Sequence, residues 1–143
     1  MEMERRRKRF GIAVAGVVLP AICGCAGVQS PDDAAVCAAY DGGRSHVEVV
    51  ADGTITQLLG VQQGRASPHE GFLFRLASGC AIVVRVEVNT DFTGSVPLAT
   101  GQHVLVKGEY EYYSRGGVIH WTHHDPRGRH ENGYIDANGT MYY

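Results

Sequence analysis

Hydrophobic and polar residues alternate along most of the chain after residue 45, with the period of two that is typical of β-strands. The clearest stretch is 103–113, whose predicted apolar face carries Val104, Val106, Tyr110 and Tyr112. Further strand-like stretches are 46–59, 71–77, 80–88, 118–122, 134–137 and 140–143. The pattern therefore predicts a mostly β fold.

Turn-forming residues indicate how these stretches pair. Ser78-Gly79 separates the second and third stretches, which predicts a hairpin, and Asn138-Gly139 predicts a small hairpin at the C-terminus. Asp52-Gly53 lies inside the first stretch and indicates either a bulge or a turn. The order Asp-Pro-Arg-Gly at 125–128 is typical of a type I turn.

One helix is predicted at 34–40, because Asp32 or Asp33 can cap its start and Asp41-Gly42-Gly43 can end it. Five main strands follow, with a long connection, 89–101, between the third and the fourth. This arrangement predicts a small OB-like five-stranded barrel with one short N-terminal helix and a C-terminal hairpin. A β-sandwich or an SH3-like barrel would show similar alternation.

The first 25 residues follow another pattern. Five basic residues at 5–9 precede an uncharged, mostly apolar run of 15 residues, 10–24. A membrane-spanning helix needs about 20 residues, so we predict a cleavable signal peptide. Its end, Ile22-Cys23-Gly24-Cys25, resembles the bacterial lipoprotein box with Cys25 as the lipidated residue; ordinary cleavage near Ala26 is the alternative. The predicted segments are a signal peptide at 1–25, a tether at 26–31 and a single domain at 32–143.

Removal of the signal peptide changes the charge. Five of the thirteen basic and two of the fifteen acidic residues leave with it, so the remaining eight and thirteen give a net charge of −5. Non-specific binding of nucleic acid favours the opposite sign. We expect an exported protein of the cell envelope, on the periplasmic side of a membrane. Its expected partners are the membrane, through the lipid anchor, and an unknown small ligand, glycan or peptide; nucleic acid is not favoured.

The two cysteines that remain after lipidation are Cys37 and Cys80. An even pair in an oxidising compartment predicts a disulfide, and two free buried cysteines are the alternative. Neither cysteine has a neighbouring histidine that would indicate a nucleophile.

Histidine and aromatic residues are concentrated between 116 and 134, where four of the seven histidines and the only tryptophan occur. The run Gly116-Gly117-Val118-Ile119-His120-Trp121-Thr122-His123-His124-Asp125-Pro126 resembles the Gly-Gly-Val-Ile-His-Trp-Thr-His-x-Asp-Pro signature of a family of small exported bacterial proteins. The similarity extends from about Cys37 to the C-terminus. That family is defined as a domain of unknown function, so the resemblance does not indicate an activity or a cofactor.

Three interpretations of this segment stay open, and the first is a metal site. Imidazoles and a carboxylate suit zinc or another divalent transition metal. On an extended strand His120 and His124 would lie about 13 Å apart, so one shared ion requires the chain to bend. The candidate ligands of a metal or another small ligand are His69, His120, His123, His124, Asp125 and His130.

The second interpretation is a histidine-dependent hydrolase of the nuclease type, with or without a metal. Asp125 or Glu131 would orient a histidine base, and nearby arginines would stabilise the charge that develops on a phosphodiester. The third is a purely structural envelope protein. We favour a ligand-binding module, and its predicted binding surface consists of Trp121, Tyr110, Tyr112, Arg127 and Arg129.

Overall fold

The computed structural model describes residues 29–143. The predicted signal peptide, its lipidation site Cys25 and the first part of the tether lie outside the described residues. Within 29–143, no helix has the length and apolar character needed to cross a membrane.

The predicted helix is present as α1 (Asp33–Asp41). Asp32 caps it, because its carboxylate accepts a hydrogen bond from the backbone N–H of Ala35 at 3.1 Å. Asp33 has a different role: its buried carboxylate accepts hydrogen bonds from the N–H of Asp52 and from the N–H and hydroxyl of Ser78. These bonds fix the helix to Asp52 of the first strand and to the connection between the second and third strands.

The predicted disulfide is also present and joins Cys37 of α1 to Cys80, with 5.7 Å between their Cα atoms. It links the helix to the connection between the second and third strands, close to the contact between Asp33 and Ser78.

Seven strands form one sheet, and with a short helix, α2 (Thr90–Thr93), they make the fold mostly β. The strands are β1 (Val47–Gln63), β2 (Pro68–Leu76), β3 (Val83–Asn89), β4 (His103–Glu111), β5 (Val118–His120), β6 (Tyr134–Ala137) and β7 (Thr140–Tyr142). Their order is β1-β2-β3-β5-β4-β6-β7, and β1 also pairs with β4. The first five strands therefore form a closed ring of hydrogen-bonded neighbours.

The ring closes through β5, which pairs in parallel with β3 and antiparallel with β4. Two glycines before β5 make this possible. A Cβ atom at Gly116 would collide with the backbone carbonyl of Val83, and a Cβ atom at Gly117 would lie 2.5 Å from Cε2 of Tyr110. Both glycines have positive φ, 111° and 84°, a region that disfavours residues with side chains.

Alternate residues of the ring strands point into one hydrophobic core, as the period of two predicts. On β3, for example, Val84, Val86 and Val88 are fully buried, whereas Arg85 and Glu87 lie on the opposite, outward face. Tyr110 belongs to the core and donates a hydrogen bond from its hydroxyl to the carbonyl of Gly116. The prediction that Tyr110 belongs to a binding surface is therefore wrong: its side chain is buried inside the closed ring of strands.

Several local details differ from the expectations. Asp52-Gly53 forms neither a turn nor a bulge, because β1 pairs with β4 in continuous register through both residues. Gly53 is required there because a Cβ atom would lie 2.5 Å from the Phe74 ring. The irregularities of β1 lie further on, where its pairing with β2 shifts between Ile55 and Gln57 and between Leu58 and Gly60. The fifth strand ends at His120, before Trp121 with its φ of 55°.

The predicted C-terminal hairpin is confirmed. β6 and β7 pair antiparallel around Asn138 and Gly139, whose φ values of 57° and 79° fit a two-residue turn of type I′. β6 also pairs with the first half of β4, from Val104 to Lys107, while β5 pairs with its last residues.

Candidate functional site

A groove of about 1090 Å³ crosses the outward face of the ring. We call it the groove; it is lined by β1, β2, β3 and β5, by the last residue of β4 and by the turn that leads from β4 to β5. Its apolar lining consists of Leu59, Leu73, Val83 and Val118. Its polar lining consists of Thr56, Arg85, Glu87, Glu111, Tyr113, Arg115 and His120. Small-molecule sites combine an apolar surface with a few polar groups in this way.

Two polar atoms in the groove are buried and make no hydrogen bond within the described residues: Nε of Arg85 and Nε2 of His120. The guanidinium of Arg85 also pairs with Glu87 through Nη2 at 2.8 Å, so its Nε–H remains as an unused donor. Buried polar groups nearly always have a partner, and an exception needs an explanation. The side chain of Arg85 is 41% exposed, so it can turn and present its Nε–H to an acceptor group of a ligand.

One wall of the groove continues into a second feature, the His/Glu cluster, which we define as His46, Glu109, Glu111 and His120. Glu109 and Glu111 are two residues apart on β4 and share its outward face. Nδ1 of His46 lies 3.0 Å from Oε1 of Glu109 and 2.9 Å from Oε1 of Glu111. Nε2 of His120 lies 3.6 Å and 3.8 Å from the same two oxygens.

Strand register explains why these four residues meet. Glu109 pairs with His120 of β5 on one side and with Glu48 of β1 on the other. His46 immediately precedes β1 and so lies opposite Glu111. Its backbone is held there because the N–H of Tyr112 donates to the hydroxyl of Ser45 at 3.0 Å.

The two histidines of the cluster have opposite pKa shifts. A hydrogen bond to Glu109 and the charge of Glu111 raise the pKa of His46 above its ordinary value. Burial lowers the pKa of His120, although Glu109, Glu111 and Glu87 act in the other direction. His120 is therefore a neutral imidazole at neutral pH, and His46 readily carries a proton between two carboxylates.

The second candidate region is the histidine loop, residues 121–133, which follows β5. Its centre is Asp125, whose side chain is fully buried. The carboxylate accepts hydrogen bonds from the backbone N–H groups of Arg127, Arg129 and His130. Burial acts to raise the pKa of Asp125, but these backbone hydrogen bonds outweigh it and lower the pKa to about 2. The carboxylate thus holds the turn together.

Aromatic rings surround the two buried histidines of this loop. His123 stacks on Phe92 of α2 at a centroid distance of 4.4 Å and meets His130 edge to face at 5.0 Å. Trp121, the first residue of the loop, packs on His130 at a centroid distance of 4.5 Å and lies 5.2 Å from His120, so it connects the loop with the His/Glu cluster.

Both histidines donate from Nδ1 to a backbone carbonyl: His123 to that of His124 at 2.8 Å, and His130 to that of Glu131 at 2.6 Å. Burial lowers the pKa of His123, which favours its neutral form with a lone pair on Nε2. His69 likewise donates from Nδ1 to the carbonyl of Ser67 at 3.0 Å. Each of these rings therefore has an orientation that the backbone sets.

The predicted site residues divide into separate groups. His120 joins the groove and the His/Glu cluster, whereas His123, Asp125 and His130 belong to the histidine loop. His124, Arg127 and Arg129 are exposed on that loop. Tyr112 is partly exposed and packs on Tyr40 at 5.8 Å. Among residues 29–143, the one set of three metal-ligating side chains with all ligand atoms within 4.8 Å of one another is His46, Glu109 and Glu111.

Sequence reasoning missed His46, Glu109 and Glu111 as site residues. The signal for the two glutamates was the polar face of the stretch 103–113, where carboxylates recur every second residue. No comparable signal marks His46, because it is 63 residues from Glu109 in sequence and approaches it only through the pairing of β1 with β4.

The comparisons with known proteins identify the family of the chain but do not indicate its activity. A sequence model of the family described as "Protein of unknown function (DUF3465)" matches residues 17–143. No curated protein and no solved structure matches the chain.

Proposed function

The chain belongs to the DUF3465 family of proteins of unknown function. We propose that it is a ligand-binding module. In this proposal the protein is an exported lipoprotein, anchored through Cys25 on the periplasmic side of a membrane. Its ring of strands is an OB-like barrel, and the groove binds the ligand. The observation that carries the proposal is the combination of an aliphatic groove surface with the unused Nε–H of Arg85.

The strand order supports an OB-like barrel. Barrels of this type have five strands and bind ligands on the face of strands 2 and 3 and through the loops after strands 1 and 4. The groove lies on that face, with Leu73 from β2 and Val83 from β3, and the turn after β4 contributes Tyr113 and Arg115.

The lining of the groove indicates the class of ligand. Its four aliphatic side chains favour an apolar portion, and the guanidinium groups of Arg85 and Arg115 favour a carboxylate or a carbonyl. A short acidic peptide with apolar side chains has both features. A glycan would use aromatic stacking, for which Tyr113 is the only Phe, Tyr or Trp among the described residues that line the groove. The net charge of −5 after signal removal disfavours nucleic acid.

A histidine-dependent hydrolase is the second candidate. Asp125 is poorly suited to orient a histidine base, because its carboxylate already accepts hydrogen bonds from three backbone N–H groups. Within the described residues His120 is better placed, since Glu109 and Glu111 lie beside its Nε2. A hydrolase would therefore act at the groove rather than in the histidine loop.

The proposal can be tested by NMR titration of the purified protein with N-acetylated tetrapeptides that contain two leucines and either one aspartate or one lysine. We expect the aspartate peptides to shift the resonances of Arg85, Val118 and their neighbours. The variant Leu59→Ser should weaken binding, because Leu59 lines the groove. Leu58→Ser is the matched control, since the adjacent leucine is exposed and does not line it.

Shifts confined to Trp121, His130 and Arg127 would contradict binding in the groove and would show that the ligand binds at the histidine loop. Equal weakening by the two leucine variants would also contradict it. If the protein hydrolyses a peptide or phosphodiester and His120→Ala abolishes this turnover, the protein is a hydrolase and not a binding module.

A further inference from the structure

We propose that the His/Glu cluster is a binding site for one divalent transition-metal ion, with zinc as the best match. The four ligands would be Nδ1 of His46, Oε1 of Glu109, Oε1 of Glu111 and Nε2 of His120. The site is distinct from the predicted metal site of the histidine-rich segment, with which it shares His120 alone. It does not depend on the groove having a ligand.

The distances between the ligand atoms fit a single ion. Zinc binds histidine nitrogen and carboxylate oxygen at about 2.0 to 2.2 Å, and in a tetrahedral site two such ligand atoms are then about 3.4 Å apart. The four measured separations between a histidine nitrogen and a glutamate oxygen are 2.9, 3.0, 3.6 and 3.8 Å. His46, Glu109 and Glu111 already have ligand atoms within 4.8 Å of one another. His120 is not part of that set, so its ring must move towards the other three ligands to complete the coordination.

The ligand types fit as well. Two imidazoles and two carboxylates favour zinc or a neighbouring transition metal over calcium and magnesium, which prefer oxygen ligands alone. A neutral imidazole is the form that binds a metal, and His120 would coordinate through Nε2. Its Nε2 is buried and has no hydrogen-bond partner among the described residues, so the nitrogen is free to coordinate.

The charge of the cluster favours a cation. Glu109 and Glu111 place two carboxylate oxygens within 4.8 Å of each other, and each side chain is only about one-fifth exposed. Like charges at this distance repel each other. A divalent ion bound between the two carboxylates would offset this repulsion.

The backbone at His46 adds a further indication. Its φ of 58° lies in the left-handed region, which is uncommon for a residue other than glycine. This conformation directs the side chain over the outward face of β4, towards Glu109 and Glu111. Uncommon backbone conformations of this kind are concentrated at functional sites.

The test is isothermal titration calorimetry of the metal-free purified protein with Zn²⁺. We expect one ion per chain, and we expect Glu111→Gln and His120→Ala each to raise the Kd at least about tenfold. Glu111→Gln keeps the size of the side chain, so its circular dichroism and unfolding midpoint serve to show that the fold is intact. The matched controls are His103→Ala, which removes another exposed histidine paired with a carboxylate, and His124→Ala, which removes an exposed histidine of the histidine loop.

Three results would overturn the proposal: no stoichiometric Zn²⁺ binding, unchanged affinity in the folded Glu111→Gln variant, or a loss of affinity in His124→Ala equal to that in His120→Ala. Leu59→Ser separates this proposal from the function of the groove. It should weaken peptide binding and leave the zinc Kd unchanged, because Leu59 lies outside the cluster. Each proposal can therefore fail without the other.

Discussion

Replacement of Gly117 by alanine tests whether close packing before β5 closes the ring. A methyl group at this position would lie 2.5 Å from Cε2 and Cζ of Tyr110, a fully buried ring. Tyr110 cannot move away easily, because its hydroxyl donates to the carbonyl of Gly116 and its ring is enclosed by the core. We therefore expect the substitution to separate β5 from its neighbours.

The expected magnitude has two parts. Gly117 has a φ of 84°, and a side chain in the left-handed region costs about 1–2 kcal/mol. Forcing a methyl group into a packed interior adds about 1–3 kcal/mol. Gly101 provides a matched control, because its φ is 85° and an added Cβ atom would meet nothing within 4 Å. Gly101→Ala should therefore cost only the first part, about 1–2 kcal/mol, and Gly117→Ala about 2–5 kcal/mol.

The measurement is equilibrium unfolding of both variants in urea, followed by tryptophan fluorescence, with the disulfide kept intact. Trp121 directly follows β5 and reports on that strand. Equal losses of unfolding free energy in the two variants would refute the steric argument, since they would show that backbone conformation alone accounts for the cost.

Three further predictions concern the disulfide, Asp125 and the lipid anchor. Replacement of both Cys37 and Cys80 by serine should lower the free energy of unfolding by about 4 kcal/mol for a separation of 43 residues, and an unchanged urea midpoint would contradict this. The lowered pKa of Asp125 means that its contribution to stability is complete above its ordinary pKa of 3.8 and is lost as the pH falls towards 2. The difference in unfolding midpoint between wild type and Asp125→Asn should therefore shrink over that range, and a constant difference would refute an ionised cap. Cys25→Ser should abolish lipid labelling of the expressed protein, whereas continued labelling would place the modification elsewhere.

Local sequence signals predicted the local structure correctly. The helix predicted at 34–40 and found at Asp33–Asp41, the hairpin around Asn138-Gly139 and the pair Cys37 and Cys80 each follow from adjacent residues or from cysteine counting. The turn at 125–128 was also predicted, and the N–H of Gly128 donates to the carbonyl of Asp125 as a β-turn requires. These features depend on short-range hydrogen bonds, which the identity of a few residues determines.

The candidate site was less predictable because it depends on strand pairing. Alternation shows that Glu109 and Glu111 share a face, but it does not show which strand lies beside them. The register of β4 with β5 decides that His120 lies opposite Glu109, and the register with β1 brings His46 to Glu111. Proximity in sequence suggested instead that His120 would act with His123 and His124, from which the end of β5 separates it.

The short strand β5 connects the fold with both proposed activities. Its central residue, Ile119, is buried in the core, while Val118 and His120 on either side face the groove. Because side chains alternate, any displacement that removes Ile119 from the core also moves His120 away from Glu109 and Glu111. Gly116 and Gly117 permit the close approach that holds Ile119 in place. We therefore expect the glycine pair to matter for zinc and ligand binding even though neither residue supplies a ligand atom to the metal, and Gly117→Ala should weaken both more than Gly101→Ala does.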